Sequence, residues 1–207
     1  MELLVATRSE HKLREIRRIL GGVPDLILRS PDEAGVAYDP AEEALEPFET
    51  FEENARSKAE YFRSKSTLAT VADDSGIEVD ALGGAPGVRS KRFAPDTGVT
   101  GLERDLANNR HLVDRLEGRE ASERSARYVC VAALVKGDGQ VEYFRGEAPG
   151  VIVSDPMGDG GFGYDPHFYD PELDRTFAQI SAEEKNERSH RGKAFAALAR
   201  TLIAQGN

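Results

Sequence analysis

The chain has 207 residues, 39% hydrophobic and 31% charged, a balance that excludes intrinsic disorder and fits one globular domain or two lobes sharing a core. Its 27 basic and 37 acidic residues leave a net charge of −10, which excludes the broad basic footprint of a nucleic-acid binder. A local cluster of cations around a small phosphorylated molecule stays compatible with that charge.

Leu3-Leu4-Val5-Ala6 predicts a short strand, and Thr7-Arg8-Ser9-Glu10 a turn with Ser9 as helix N-cap. Leu13, Ile16, Ile19 and Leu20 then recur at helical spacing until Gly21-Gly22. A strand that feeds directly into a capped helix presents backbone N–H groups where an anion can bind. Leu26-Ile27-Leu28 reads as a second strand, and the acidic, Pro-punctuated stretch from Pro31 to Pro47 as a loop with at most a short helix. Thr50 to Ser66 is a helix opened by a Thr50/Glu53 capping box. Leu68 to Ala72 is a buried strand that ends in Asp73-Asp74-Ser75-Gly76, with Ile77 to Val79 extended again and Leu82 to Gly87 a tight loop. Leu102 to Leu116 is helical, its apolar stripe built from Leu102, Leu106, Val113 and Leu116. Arg127 to Val135 and Val141 to Arg145 form a hairpin through Gly137-Asp138-Gly139. Gly158 to Pro166 is a second Gly-rich loop with an extended exit, and helices beginning at Ser181 and running from Gly192 to Ala204 close the chain. The class is α/β with a mixed sheet, without repeats and without a linker that would separate independent domains.

Chemistry concentrates at Asp73-Asp74. Neighbouring side chains on a strand point to opposite faces, so one carboxylate can meet a metal while the other orients a neighbour. Glu42, Glu43, Glu46, Glu49, Glu52 and Glu53 crowd the region before the second helix, and Mg²⁺ needs only one or two such carboxylates beside substrate phosphates. Spacing alone does not choose among them. Lys12, Lys58, Lys185 and Arg191 are the candidate cations, each in or beside a turn or helix. Phe162 in the second Gly-rich loop can stack on a base or plug the core, and Ser189-His190-Arg191 places polar groups at the start of the last helix. His11, His111, His167 and His190 show no metal-ligand spacing, and no Walker A loop occurs. Gly158 to Gly163 fits Gly-x-Gly-x-x-Gly but lacks the helix that a dinucleotide fold requires. Cys130, the single cysteine, lies in an apolar run and reads as a small buried side chain; neither an internal disulfide nor a cysteine-built zinc site is available. No run approaches the ~18 apolar residues of a membrane helix. Met1 to Leu20 turns charged by Arg8, so the cytoplasm is the expected compartment.

In order along the chain, six blocks resemble the inosine triphosphatase (HAM1-like) family. They are Ala6-Thr7 with Lys12 and Glu15; Glu46 with Thr50-Phe51-x-Glu53-Asn54-Ala55-x-x-Lys58-Ala59; Ala72-Asp73-Asp74-Ser75-Gly76; Leu82 to Gly87; Gly160 to Pro166; and Glu184-Lys185 with Ser189-His190-Arg191. The resemblance implies one nucleoside triphosphate pyrophosphatase domain over residues 1–207, two-lobed, on a long mixed sheet with a cleft between the lobes. It also implies a homodimer and a Mg²⁺-dependent conversion of ITP, dITP or XTP to the monophosphate and pyrophosphate, with no nucleic-acid or membrane partner. By the same resemblance Asp74 is the catalytic base, and Glu46, Asp74 and, secondarily, Asp73 hold the metal. Thr7, Arg8, Ser9, Glu10, His11 and Lys12 form the phosphate-binding turn. Ser75, Phe162, Gly163, Tyr164, Asp165, Lys185, His190 and Arg191 contact substrate. Ser9 departs from the family, most members of which carry Asn there; the serine keeps a capping oxygen and lacks the amide donor. A Maf-like pyrophosphatase for modified pyrimidine nucleotides, and a nucleotide sensor without catalysis, are the alternative readings.

Overall fold

The computed structural model describes residues 1–206. Its seven strands form one sheet in the order β2-β1-β3-β4-β5-β6-β7. β1 (Glu2–Val5) pairs in parallel with β2 (Ile27–Arg29) on one side and β3 (Ala69–Val79) on the other, with Leu4 opposite Arg29 and Thr70. β4 (Ser125–Val135) and β5 (Val141–Ile152) follow, joined by the expected turn, in which the Lys136 N–H donates to the Gln140 carbonyl at 2.9 Å. β6 (Phe168–Asp170) pairs antiparallel with β5 and with β7 (Arg175–Thr176), so the sheet is mixed, as expected.

Five helices accompany the sheet: α1 (Glu10–Leu20), α2 (Phe51–Ser66), α3 (Gly101–Arg115), α4 (Ala182–Arg188) and α5 (His190–Gly206). None is long and apolar enough to cross a membrane, among the described residues. Ser9 caps α1, its hydroxyl accepting the Lys12 N–H at 3.4 Å. Thr50 caps α2 by accepting the Glu53 N–H at 3.2 Å, and the Glu53 carboxylate returns to the Thr50 hydroxyl at 2.6 Å, so the return arm of the box is a side-chain bond. The acidic loop after β2 contains one 3₁₀ turn, Pro40–Ala44.

The chain forms two compact units, one of Met1–Asp74, Cys130–Gly146 and the residues from His190 on, the other of Ser75–Val129 and Glu147–Ser189. The first has a core on each side of β1, following the alternation of a strand. Leu3 and Val5 join Ile16 and Leu20 of α1 and Phe195, Leu198 and Leu202 of α5, whereas Leu4 and Ala6 join Ala59 and Phe62 of α2. The second unit packs Ile77, Val79, Leu112, Leu116, Tyr128, Ile152, Phe168 and Phe177.

Three expectations are corrected. β3 does not end at Asp73: it runs eleven residues through the acidic pair to Val79, since Ile77 and Val79 are fully buried and continue the pattern. Only the C-terminal part of the expected α3 stripe faces inward: Leu116 is fully buried, together with Leu112. Leu102 and Leu106 are exposed, while Asn108 and Asn109 are buried, because the helix hydrogen-bonds neighbouring loops through its amides. The last helix starts at His190, two residues before Gly192.

Candidate active site

β3 carries Asp73 and Asp74 into two different environments. Asp73 shares the face of Val71, toward α1 and α5, and is almost wholly buried. Its Oδ2 meets Lys12 Nζ at 3.0 Å and accepts from Arg191 Nε and Nη2 at 3.2 and 3.1 Å, with the Cys130 thiol 3.8 Å away. Its Oδ1 is buried without a hydrogen-bond partner. Arg191 reaches on to Glu15 at 2.6 Å, so α1 and α5 are tied through one buried guanidinium. Burial alone would raise the Asp73 carboxyl, but Lys12, Arg191 and Lys58 hold it well below the usual carboxylate range.

Asp74 shares the face of Ala72, toward α2. Its Oδ2 accepts from Asn54 Nδ2 at 3.0 Å. One turn further along α2, Lys58 pairs with Glu46 of the preceding loop. Burial, aided by the Glu46 charge, raises the Asp74 carboxyl above its ordinary value, against the pull of Lys58, Lys12 and the Asn54 amide. Two acidic side chains that repel one another beside Lys58 form a hard oxygen donor set that a cation's charge would relieve. No group of three or more His, Cys, Asp and Glu forms a ready-made metal cage among the described residues. Mg²⁺ does not require one, because it takes few protein ligands and fills its remaining positions with water and phosphate. Glu46 and Asp74 therefore fit the ion, whereas Asp73 is buried with its Oδ2 already held by two cations.

The turn after β1 has two kinds of residue. Thr7 is buried and its hydroxyl accepts the Ser9 N–H at 3.1 Å, which shapes the loop ahead of the α1 N-terminus. Arg8 turns to the acidic loop, donating to both oxygens of Glu42 at 3.0 and 2.8 Å, to the Val36 carbonyl at 3.0 Å and to Asp32. Glu10 and His11 are exposed on the first turn of α1, and Arg14 lies 3.0 Å from the His11 ring. The turn thus supplies Lys12 and backbone N–H groups, while Arg8 braces the loop.

The second unit contains its own cluster. Asp165 Oδ2 accepts from Lys185 Nζ at 2.6 Å and from the Phe162 N–H at 2.8 Å, and Oδ1 accepts from the Tyr128 hydroxyl at 3.2 Å. The Lys185 ammonium also lies over the Phe162 ring, 4.6 Å from its centroid. Gly161 sits at φ +71°, where a Cβ would meet Asp165 Oδ2 at 2.1 Å, so glycine is needed for this close approach. Both backbone groups of Gly163 are held by α3, its N–H by Asp105 at 3.1 Å and its carbonyl by Asn109 at 3.0 Å. The Tyr164 hydroxyl donates to the Ser90 carbonyl at 2.7 Å. Ser75 is half-buried beside Asp74, and His190 is buried at the first position of α5. Asn54, Glu15, Asp105, Asn109 and Tyr128 had no assigned role in the sequence. Asn54 and Glu15 lie in the motif blocks; of the other three, only Tyr128, a polar-tipped residue in the apolar run of β4, carried a local signal, and Asp105 and Asn109 on the polar α3 carried none.

A mixed α/β fold with a capped strand–turn–helix and buried carboxylates among lysines defines a protein equipped for a small, highly charged ligand. The Ham1 family model matches residues 3–201, and the chain belongs to that family. A Thermus thermophilus protein named dITP/XTP pyrophosphatase is 41% identical over 205 residues, 96% of this chain and 90% of its own. The Geobacter sulfurreducens protein of the same name is 43% identical, with 99% and 98% of the two chains covered. Among solved structures, the Staphylococcus aureus Ham1 protein superposes with a TM-score of 0.83 at 35% identity, covering 99% of this chain and 100% of that one. A Coxiella burnetii HAM1 protein gives 0.84 at 34%, with 99% of each chain covered. The resemblance drawn from the six motif blocks is borne out.

Proposed function

We propose that the chain, as one catalytic domain, hydrolyses non-standard purine nucleoside triphosphates (dITP, ITP and XTP) to the monophosphate and pyrophosphate, with Mg²⁺. The observation that carries this reading is the buried Asp74 carboxylate within electrostatic reach of the Glu46–Lys58 ion pair and of Lys12, in a chain 40–46% identical to relatives named dITP/XTP pyrophosphatase. When bound by Glu46 and Asp74, Mg²⁺ supplies a Lewis acid for the phosphate oxygens. Lys12 and the N–H groups of the turn at Thr7–Ser9 bind the triphosphate, where the start of α1 also favours negative charge. Asp74, buried and raised, is a stronger base than an ordinary carboxylate and accepts the proton of the attacking water at a carboxylate oxygen. Water adds to the α-phosphorus and pyrophosphate leaves; the work of the protein is positioning and charge stabilisation.

Phe162, Tyr164, Lys185, His190 and Arg191 are assigned to base and phosphate contacts, with Asp165 setting the Phe162 loop. Donors aimed at a 6-keto oxygen discriminate against adenine, whose 6-amino group leaves donors facing donors at about 1–3 kcal/mol per group. A snug pocket at the 2-position would reject GTP. The enzyme works as a homodimer in the cytoplasm, with no nucleic-acid or membrane partner. Release of pyrophosphate and orthophosphate from ITP, XTP, dITP, GTP, ATP and dTTP, with and without Mg²⁺, tests the reading. Pyrophosphate from the inosine and xanthosine nucleotides with Mg²⁺ alone is expected. Orthophosphate would overturn the position of cleavage, dTTP preference would favour the pyrimidine reading, and comparable turnover of GTP and ITP would sink the 2-position pocket. Asp74→Asn is expected to abolish turnover without loss of fold.

A further inference from the structure

Asn54 is fully buried in the first turn of α2, and each polar atom of its side chain is used. Its Oδ1 accepts the Phe48 N–H at 2.9 Å, and its Nδ2 donates to the Phe48 carbonyl at 3.1 Å and to Asp74 Oδ2 at 3.0 Å. One planar amide therefore pins the backbone of Phe48 from both sides and holds a carboxylate oxygen of β3. Between Phe48 and Glu46 stands only Pro47, whose ring fixes its own φ and restricts the residue before it. Fixing Phe48 thus fixes the exit direction of the Glu46 backbone. Lys58, one helical turn along the same face of α2 as Asn54, then takes the Glu46 carboxylate.

We infer that Asn54 is a positioning residue for the hydrolytic site: it registers the loop bearing Glu46 against Asp74, so that the two acidic groups meet the metal and nucleotide in one arrangement. This rests on the pyrophosphatase reading and extends it to a residue that acts through Asp74 and the Glu46 loop rather than on the substrate. No other side chain of similar size can do the same. Asp has the shape but lacks both donors and sets a charge against Asp74, and Ala leaves the Phe48 backbone and one Asp74 oxygen without their amide partner.

The test compares wild type with Asn54→Ala and the near-isosteric Asn54→Asp. Residues that orient metal ligands cost about 10–100-fold in metal affinity or activity when replaced. Both variants are expected to lose about 10-fold or more in kcat for dITP, to keep KM for the nucleotide within about 3-fold, and to need about 10-fold more Mg²⁺ for half-activation. Excess Mg²⁺ should restore part of the loss in Asn54→Ala. The readout independent of turnover is amide hydrogen exchange at Phe48 in the metal-free protein, expected to be faster in Asn54→Ala by at least about 10-fold while amides of α1 and α5 keep their protection. A wild-type Mg²⁺ requirement with wild-type kcat would overturn the inference. So would a loss of kcat that matches the fraction unfolded with the Mg²⁺ requirement unchanged, or unaltered exchange at Phe48. Should Asn54→Ala not fold, Asn54→Asp, which preserves volume and the overall packing, decides by the same kinetic split. If wild type itself releases no pyrophosphate, the functional reading fails, and the exchange at Phe48 still decides whether Asn54 sets the loop.

Discussion

Asp73 and Asp74 are adjacent in sequence, yet the fold treats their charges oppositely. Asp73 neutralises Lys12 and shares Arg191 with Glu15 inside the protein, so its removal leaves two buried cations with Glu15 alone to offset Arg191. Breaking such a pair by deleting one partner costs about 3–5 kcal/mol. Burial and the charge of Glu46 disfavour the ionised form of Asp74, so that charge destabilises the metal-free fold. In urea unfolding of the metal-free protein near neutral pH, Asp73→Asn should lose about 3–5 kcal/mol, whereas Asp74→Asn should be at least as stable as wild type. Equal losses would refute the division of roles. The pH dependence follows with opposite signs. The folded-state value of Asp73 is depressed, so its contribution is present above the unfolded carboxyl value of about 4 and is lost as pH falls through the folded one. The folded-state value of Asp74 is raised, so the fold favours its protonated form and loses that contribution as pH rises through the folded value. Asp73→Asn should therefore flatten the acid limb of the stability curve below about pH 4, measured by urea titrations across that range.

The site depends on how closely helices approach the sheet, and glycine sets one of those distances. At Gly146 of β5 a Cβ would stand 2.2 Å from the His190 carbonyl oxygen and 2.6 Å from the Ala194 nitrogen, both backbone atoms of α5. Gly146→Ala must push back the first turn of α5, where Arg191 leaves for Asp73 and Glu15, and overpacking of this kind costs about 1–3 kcal/mol. Gly137, in the β4–β5 turn with open space around it, is the control: Gly137→Ala should stay within about 0.5 kcal/mol of wild type. Thermal and urea unfolding of the two variants separate these outcomes, and parity between them would refute the close approach. Nothing in the sequence singled out Gly146, because the need for glycine there comes from a helix 44 positions away in the chain. By contrast, α1, α2 and α4 were readable through Ser9, Thr50 and Ser181, since caps act within three residues of themselves. α3 misled for the same reason in reverse. Its leucines satisfy the helical period, but only Leu112 and Leu116 reach the core, while one turn earlier Asn108 and Asn109 face inward to the loops they hydrogen-bond.

Three strands each serve both compact units. β3 gives Val71 to one core and Ile77 and Val79 to the other; β4 gives Tyr128 to one and Cys130, Ala132 and Leu134 to the other; β5 passes from Phe144 to Ala148 and Ile152. The acidic pair ends the part of β3 that belongs to the first unit. Its two opposite faces were readable from strand alternation, while the partners on each face, supplied by distant helices, were not. A hydrogen-bonded strand that fills two cores links their unfolding, so the chain should melt in one transition. Cys130 reports on this. Burial, with Asp73 beside it, pushes its thiol far up, so it reacts with a disulfide reagent only when the first core opens. Leu112→Ala excavates the second core, where the side chain is fully buried, and should cost about 2–5 kcal/mol. If opening is shared, Cys130 labelling in native buffer should accelerate by about 30-fold at the lower end of that range, since about 1.4 kcal/mol is tenfold. A labelling rate equal to wild type, in a variant whose urea midpoint has fallen, would mean that the first core opens independently of the second.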